Sequence, residues 1–348
     1  MPTTTQETNN SWQKDFITLI KQLSHTDRQS LPAVGSSPKE LIYKENKLQL
    51  FHYKSLGVKQ KKTPILLTYA LVNRPYITDL EPKRSLVQRL LEHGYPVYLI
   101  DWGYPDSSDK LTRLNDYING YLHRCVQHVK RHAKRKKIDL LGICQGGVFS
   151  LCYTALHPGE IRKLITLVTP VDFHAQNGPF STWAADLDHH NLLTTCGNIP
   201  GQLINQLFKT LKPFQLNREK YRQFDHLVNK KENLDTFLRM EKWLNDAPDL
   251  AGYAANEFWV NFYQQNYLHK GKLEIDGQPV KLSAITCPVH NVYATKDHIV
   301  PPKSTRALSQ HIKPSLYSEC ALNGGHIGAF ISLKTQQALI KSLHHFIG

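Results

Sequence analysis

Ile138-Asp139-Leu140-Leu141-Gly142-Ile143-Cys144-Gln145-Gly146-Gly147 runs from an apolar β pattern directly into a cysteine flanked by glycines. Phe149 to Leu156 then reads as a helix. A strand, one sharp turn and a helix is the context of a nucleophile elbow, here with cysteine where serine is usual. Such a turn strains the backbone of its central residue and lifts that side chain above the sheet edge. Small neighbours at Gly142 and Gly146 avoid collisions in the turn. The turn also aims the backbone N–H of Gln145 and the helix N-terminus at one point, which makes half of an oxyanion hole. The bland alternative is a glycine-rich turn that holds a buried cysteine.

Working outward, β and α signals alternate. Residues 41–53, LIYKENKLQLFHY, read as a hairpin, and TPILLTYAL, YPVYLIDWG and LITLVTPV read as buried strands. Ser85 to Glu92 is helical, and Asn115 to Ala133 carries an apolar stripe of helical period ending in a basic run, Lys130 to Lys137. CPVHNVYAT and SLYSECAL restore the strand signal late in the chain, and Ala338 to Ile347 closes it with a helix. Strands apolar on both faces, alternating with helices, argue for an α/β fold with a mostly parallel sheet. Asp172 to about Leu282 breaks the rhythm and is rich in Trp, Tyr and Asn, with helical pieces from Leu234 to Leu244 and Tyr253 to Tyr263. The expected organisation is an N-terminal segment over 1–36, a catalytic core over 37–171 and 283–348, and a largely helical cap inserted at 172–282. Within the first segment, Trp12 to Leu23 has the spacing of one amphipathic helix.

A nucleophile needs a base and an orienting acid, and α/β-hydrolases supply them in the order nucleophile, acid, histidine. CPVHNVYATKDHIVPP places Asp297 just past a strand, and SLYSECALNGGHIG places His326 just past the next, beside Gly324 and Gly325. All three slots are filled in order by suitable residues. Two alternatives stay open: His298 as base and Asp101, after the strand VYLI, as acid. Cys152 lies two helical turns beyond Cys144 and reads as packing. No metal is expected, because H-E-x-x-H is absent and the pairs His189-His190 and His344-His345 are adjacent. Neither G-x-G-x-x-G nor a P-loop occurs.

At 348 residues, with 41% hydrophobic residues, the chain has ample core and is not globally disordered. Lys and Arg number 43 against 29 Asp and Glu, a formal charge of +14 that favours an anionic partner. Six scattered cysteines form neither a disulfide framework nor a zinc ribbon. The N-terminal residues lack a basic n-region and an apolar h-region. The longest near-apolar stretch, Pro64 to Val72, falls far short of the ~20 residues of a membrane span. The expected location is cytoplasmic.

Cysteine suits one chemistry in particular. Its thiolate forms readily, and attack on an acyl group yields a thioester, from which an alcohol takes the acyl group efficiently. LLGICQGG, YALVNRPYITDL, YLIDWGYPD, LVTPVDF, KDHIVPP and GGHIG together resemble the polyhydroxyalkanoate synthases. The short chain is similar to the catalytic (PhaC-type) subunit of the two-subunit, class III enzymes. The resemblance runs from about Ser37 to the C-terminus. It implies an α/β-hydrolase core with a cap, and polymerisation of (R)-3-hydroxyacyl-CoA, usually 3-hydroxybutyryl-CoA, with release of CoA. Carried over by position, Cys144 holds the growing chain as a thioester and His326 activates it. Asp297 either orients His326 or helps deprotonate the 3-hydroxyl of an incoming unit. Val72 and Asn73, on the loop after ILLTYA, sit where the second oxyanion N–H should arise. No cofactor is implied, since CoA is part of the substrate and its leaving group. The implied partners are a second synthase subunit (PhaE-type), the growing polyester, the polymer granule surface and further copies of the chain; nucleic acid is not among them.

Water must be excluded while the acyl-cysteine waits for an alcohol. The inserted segment is the natural lid, and Trp183, Phe208, Phe214, Trp243 and Trp259 are candidates to line an apolar passage. Two other readings compete. A dienelactone-hydrolase-like cysteine hydrolase shares the elbow but implies a bare core, and an acyl-CoA thioesterase would result if water reached the acyl-cysteine. A non-catalytic granule- or nucleic-acid-binding protein would use the charge, although Lys130 to Lys137 lacks interleaved aromatics.

Overall fold

A computed structural model describes residues 32–175, 194–195, 197–210 and 231–348. The expected helix from Trp12 to Leu23 lies outside them. Eight strands form one sheet: β1 (Lys39–Glu45), β2 (Leu48–Tyr53), β3 (Ile65–Thr68), β4 (Val97–Asp101), β5 (Ile138–Ile143), β6 (Ile161–Leu167), β7 (Val289–Ala294) and β8 (Tyr317–Leu322). Their spatial order is β1-β2-β4-β3-β5-β6-β7-β8. Strand β2 runs antiparallel to both neighbours, and from β4 to β8 all pairings are parallel. This is the α/β-hydrolase fold. The β1–β2 turn places Asn46 at φ 50°, a left-handed position that asparagine tolerates well.

The sequence alternation sorts side chains onto two buried faces. Leu66, Tyr98, Leu140 and Leu164 join one core with α2 (His123–His132) and α3 (Gln145–Leu156). Ile65, Leu67, Val97, Leu99, Leu141 and Ile165 join the other, with α1 (Leu86–Glu92) and the C-terminal helix Leu333–Ile347. Ser85 caps α1 by accepting the Gln88 N–H at 2.9 Å. The apolar stripe expected from Asn115 opens as π-type turns over Asp116–Leu122 before α2 begins. Strand β3 ends at Thr68, earlier than the apolar run predicts, so Tyr69 to Val72 enter a loop over the sheet edge.

Within the stretch expected as a cap, the described helices are α4 (Gly201–Thr210), α5 (Lys231–Asn245), α6 (Gly252–Phe258), which continues as π-type turns over Trp259–Gln264, and the single turn Tyr267–Lys270. Ala251, Ala254, Phe258, Phe262, Leu268, Leu273, Val280 and Leu282 share the core of α2 and α3. The last third of the insertion is thus built into the main body. Among the described residues no helix is long and apolar enough to cross a membrane.

The start of α3 packs tightly on the end of β3. A Cβ on Gly146 would collide with the Thr68 carbonyl oxygen, which cannot swing aside as a side chain would. Gly146→Ala is expected to cost about 2–3 kcal/mol through overpacking. Urea unfolding reads this as a lower midpoint, and an unchanged midpoint would contradict the packing.

Candidate active site

Cys144 sits between β5 and α3 at φ 53°, ψ −124°, a conformation that costs an L-residue about 1–3 kcal/mol. Bonds on both sides hold it there. Its N–H donates to the Leu167 carbonyl at 2.9 Å, and its own carbonyl accepts the N–H groups of Gly147 (2.9 Å) and Val148 (3.3 Å). The first N–H groups of α3, from Gln145 and Gly146, have no intrahelical acceptor and lie beside the thiol. Cys152 is fully buried in the core, where burial pushes its thiol well up and makes it inert.

The loops after β7 and β8 meet next to this elbow. Thr295 N–H donates to the Leu322 carbonyl at 2.9 Å and Lys296 N–H to the Gly324 carbonyl at 3.0 Å, which draws the two loops together. Asp297 is buried, and its Oδ2 lies 2.7 Å from His326 Nδ1. Its Oδ1 accepts the N–H groups of Ile299 and Val300, both at 2.9 Å. A carboxylate acceptor places one imidazole proton on Nδ1 and turns Nε2 towards Cys144. Burial opposes a charge on His326, but Asp297 and Cys144 outweigh it and raise the imidazole pKa to about 10. The structure thus brings Cys144, His326 and Asp297 together. It places the two alternatives elsewhere: His298 is exposed, and Asp101 is engaged by Arg74 at 2.6 Å and by the Gly103 N–H.

Opposite the elbow lies the loop after β3. The Gln145 side chain accepts the Leu71 N–H at 3.0 Å, so the nucleophile's neighbour fixes this loop directly. Asn73 follows at φ 59°. Among the described residues, the N–H groups of Val72 and Asn73 have no acceptor, whereas that of Leu71 does. Tyr69 and Tyr263 lie close enough to Cys144 that its charge adds to burial in pushing their phenols up. Both therefore stay neutral near the thiol.

Sequence reasoning missed these tyrosines and one further feature. The inserted segment is tied to the loop after β3. Trp243 Nε1 donates to the Arg74 carbonyl at 2.8 Å, and Asn73 Nδ2 donates to the Trp243 carbonyl at 3.2 Å. Asn205 Nδ2 bonds the Leu244 carbonyl, and Asp246 accepts the hydroxyls of Tyr76 (2.9 Å) and Tyr104 (2.7 Å). Trp243 is thus a buried tie between the segment and this loop, while Trp259 is half-buried against Tyr263. Trp183, Phe214 and the side chain of Phe208 lie outside the described residues. Mixed polar and aromatic residues near α5, such as the sequence Trp243-Leu244-Asn245-Asp246, were the only signal available.

Known proteins share this arrangement of chain. The chain is 46% identical over 311 residues to the poly(3-hydroxyalkanoate) polymerase subunit PhaC of Allochromatium vinosum, covering 89% of this chain and 88% of that one. For the subunit of the same name from Thiocystis violacea the figures are 44% over 310 residues, 89% and 87%. For that of Synechocystis sp. they are 41% over 321 residues, 90% and 85%. The chain belongs to the poly(3-hydroxyalkanoate) polymerase family. Residues 10–90 match the poly-β-hydroxybutyrate polymerase (PhaC) N-terminus, and residues 63–332 match the α/β-hydrolase fold family. The polymerase match begins at residue 10, so the family relationship extends further upstream than the motifs from Ser37 onward. Among solved structures, a monoacylglycerol lipase from Paleococcus ferrophilus superposes with a TM-score of 0.53 at 15% identity, over 85% of this chain and 99% of that one. A thermophilic esterase from Thermogutta terrifontis gives 0.52 at 12%, over 89% and 98%. These two share the fold alone.

Proposed function

We propose that the chain polymerises (R)-3-hydroxyacyl-CoA, usually 3-hydroxybutyryl-CoA, into polyester through an acyl-Cys144 thioester. The observation that carries this reading is the juxtaposition of Cys144, His326 and Asp297 at the elbow, in a chain whose relatives are polymerase subunits. Cys144, its proton held by His326 Nε2, attacks the substrate thioester, and the oxyanion is received by the N–H of Gln145 with that of Val72 or Asn73. The tetrahedral intermediate collapses, CoA leaves as the thiol with the proton from His326, and the acyl group stays on Cys144. The 3-hydroxyl of a second unit, or of the chain end, then gives its proton to His326 as it attacks the acyl-cysteine. The ester forms and Cys144 returns to its starting state. Asp297 orients His326 in this scheme. Its two oxygens already accept three hydrogen bonds, which favours that role over direct attack on the hydroxyl proton.

The proposal extends to a class III organisation. A second, PhaE-type subunit and the granule surface accompany the enzyme in the cell, and several copies of the chain associate. The excess of 14 positive charges suits the phosphates of CoA and an acidic partner or granule coat. Supplying 3-hydroxybutyryl-CoA is expected to give insoluble polyester and free CoA. Soluble 3-hydroxybutyrate as sole product would identify a thioesterase instead. Isolation from its native cell is expected to bring down a second polypeptide with the granules, and recovery of this chain alone from the soluble fraction would remove the two-subunit part.

A further inference from the structure

A second cluster of side chains stands near the N-terminal ends of the parallel strands, whereas Cys144 lies past the C-terminal end of β5. Glu40 of β1 pairs directly with His52 of β2, and His52 pairs directly with Tyr98 of β4. Directly opposed residues point to the same face, so the three side chains form a row across the sheet edge. Helix α2 covers that face and ends there with His132.

Tyr98 fixes both imidazoles. The His52 ring stacks on it with centroids 4.5 Å apart and planes 23° from parallel, and its hydroxyl lies 2.8 Å from His132 Nδ1. Glu40 Oε1 is 2.9 Å from His52 Nδ1. One potential ligand atom from each of Glu40, His52 and His132 falls within 4.8 Å of the others. We propose that these three residues form a binding site for a divalent transition-metal ion of the zinc type, which closes the β1–β2 hairpin against α2.

The donor set selects the ion class. Two imidazoles and one carboxylate suit zinc and its neighbours, whereas calcium and magnesium prefer oxygen throughout. The contact between His132 Nδ1 and the Tyr98 phenol oxygen is the outer-shell bond that leaves Nε2 to the metal and fixes the ring. Glu40 and His132 are exposed, so an ion enters from solvent and water completes its coordination. No local spacing motif announces the site, because register in the sheet, rather than neighbourhood in the chain, assembles residues 40, 52 and 132. Without an ion, the same contacts are two side-chain hydrogen bonds.

Cobalt(II) tests this with a spectroscopic signature. Chelator-stripped wild type and Cys144→Ala are titrated with Co²⁺, and Zn²⁺ is then used as competitor. The expected result is one equivalent of visible d–d absorbance in both proteins, without the thiolate-to-cobalt band that binding at Cys144 would produce. His132→Gln and Glu40→Gln, both at exposed positions, are each expected to weaken binding at least tenfold while leaving polymer synthesis intact. Zn²⁺ is expected to raise the melting temperature of Cys144→Ala and not that of Cys144→Ala/His132→Gln. Loss of binding in Cys144→Ala would assign the ion to the elbow and overturn the proposal. Undiminished binding in both the His132 and Glu40 variants, or no saturable binding by Cys144→Ala, would overturn it as well.

Discussion

Cys144→Ala is expected to abolish both polymer formation and CoA release, by at least about 10⁴-fold, while the protein remains folded. The argument rests on what alanine keeps and what it removes. Alanine at position 144 retains the backbone bonds to Leu167, Gly147 and Val148, so the strained turn persists and the oxyanion N–H groups keep their positions. Only the sulfur is lost, and with it the covalent intermediate. Any residual turnover would come from the oxyanion hole acting on water, and would yield free acid. Cys144→Ser sharpens the point. Serine restores a nucleophile, but its ester is less electrophilic than a thioester and its alkoxide is a poorer leaving group, so chain transfer stays slow even if a first acylation occurs. Mass spectrometry of the intact protein would then show a trapped acyl group. Consumption of hydroxyacyl-CoA by Cys144→Ala at the normal rate would sink the mechanism.

Asp297→Asn is expected to lower kcat by about 10³–10⁴-fold with little effect on KM. Asparagine can keep Oδ1 on the Ile299 and Val300 N–H groups, so the turn survives. It then presents an NH₂ to His326 Nδ1. The imidazole must accept there, which puts its proton on Nε2 and leaves nothing to take the proton of Cys144 or of the substrate hydroxyl. The same substitution has a signature in stability. In the wild type the folded-state pKa of His326 is raised to about 10 from an ordinary value of 6.5, with Asp297 and Cys144 overcoming burial. A raised histidine pKa contributes stability that is complete below about pH 6.5 and is lost as pH rises through about 10. The stability advantage of wild type over Asp297→Asn, measured by urea unfolding, is therefore expected to be largest near pH 6.5 and to shrink steadily towards pH 10. An advantage that grows with pH would show that Asp297 does not stabilise a charged His326.

Much of the fold was legible because the strands alternate between two buried faces. Leu66 against Ile65 and Leu67, and Tyr98 against Val97 and Leu99, write both cores into a period of two. The elbow was legible because sterics demand glycine at 142 and 146, and few turns make that demand. Less could be read where neighbours are distant in sequence. Nothing local distinguishes Trp243 as a tie to Arg74 from Trp243 as an aromatic wall, since the difference lies in one indole hydrogen bond to a segment 169 residues away. Tyr69 and Tyr263 approach Cys144 from opposite halves of the chain for the same reason. The insertion read as one unit because its composition changes at Asp172, yet its last third carries apolar residues that the main core absorbs.

The hydrogen bonds between the segment around Trp243 and the loop carrying Asn73 and Arg74 bear on timing. Asn73 gives its side chain to the Trp243 carbonyl, and in the proposed scheme its own N–H, or that of Val72, receives the oxyanion. Displacing that segment would break the bonds at Asn73 and Arg74 at the same moment, so the backbone proposed to receive the oxyanion and the docked segment keep one timetable.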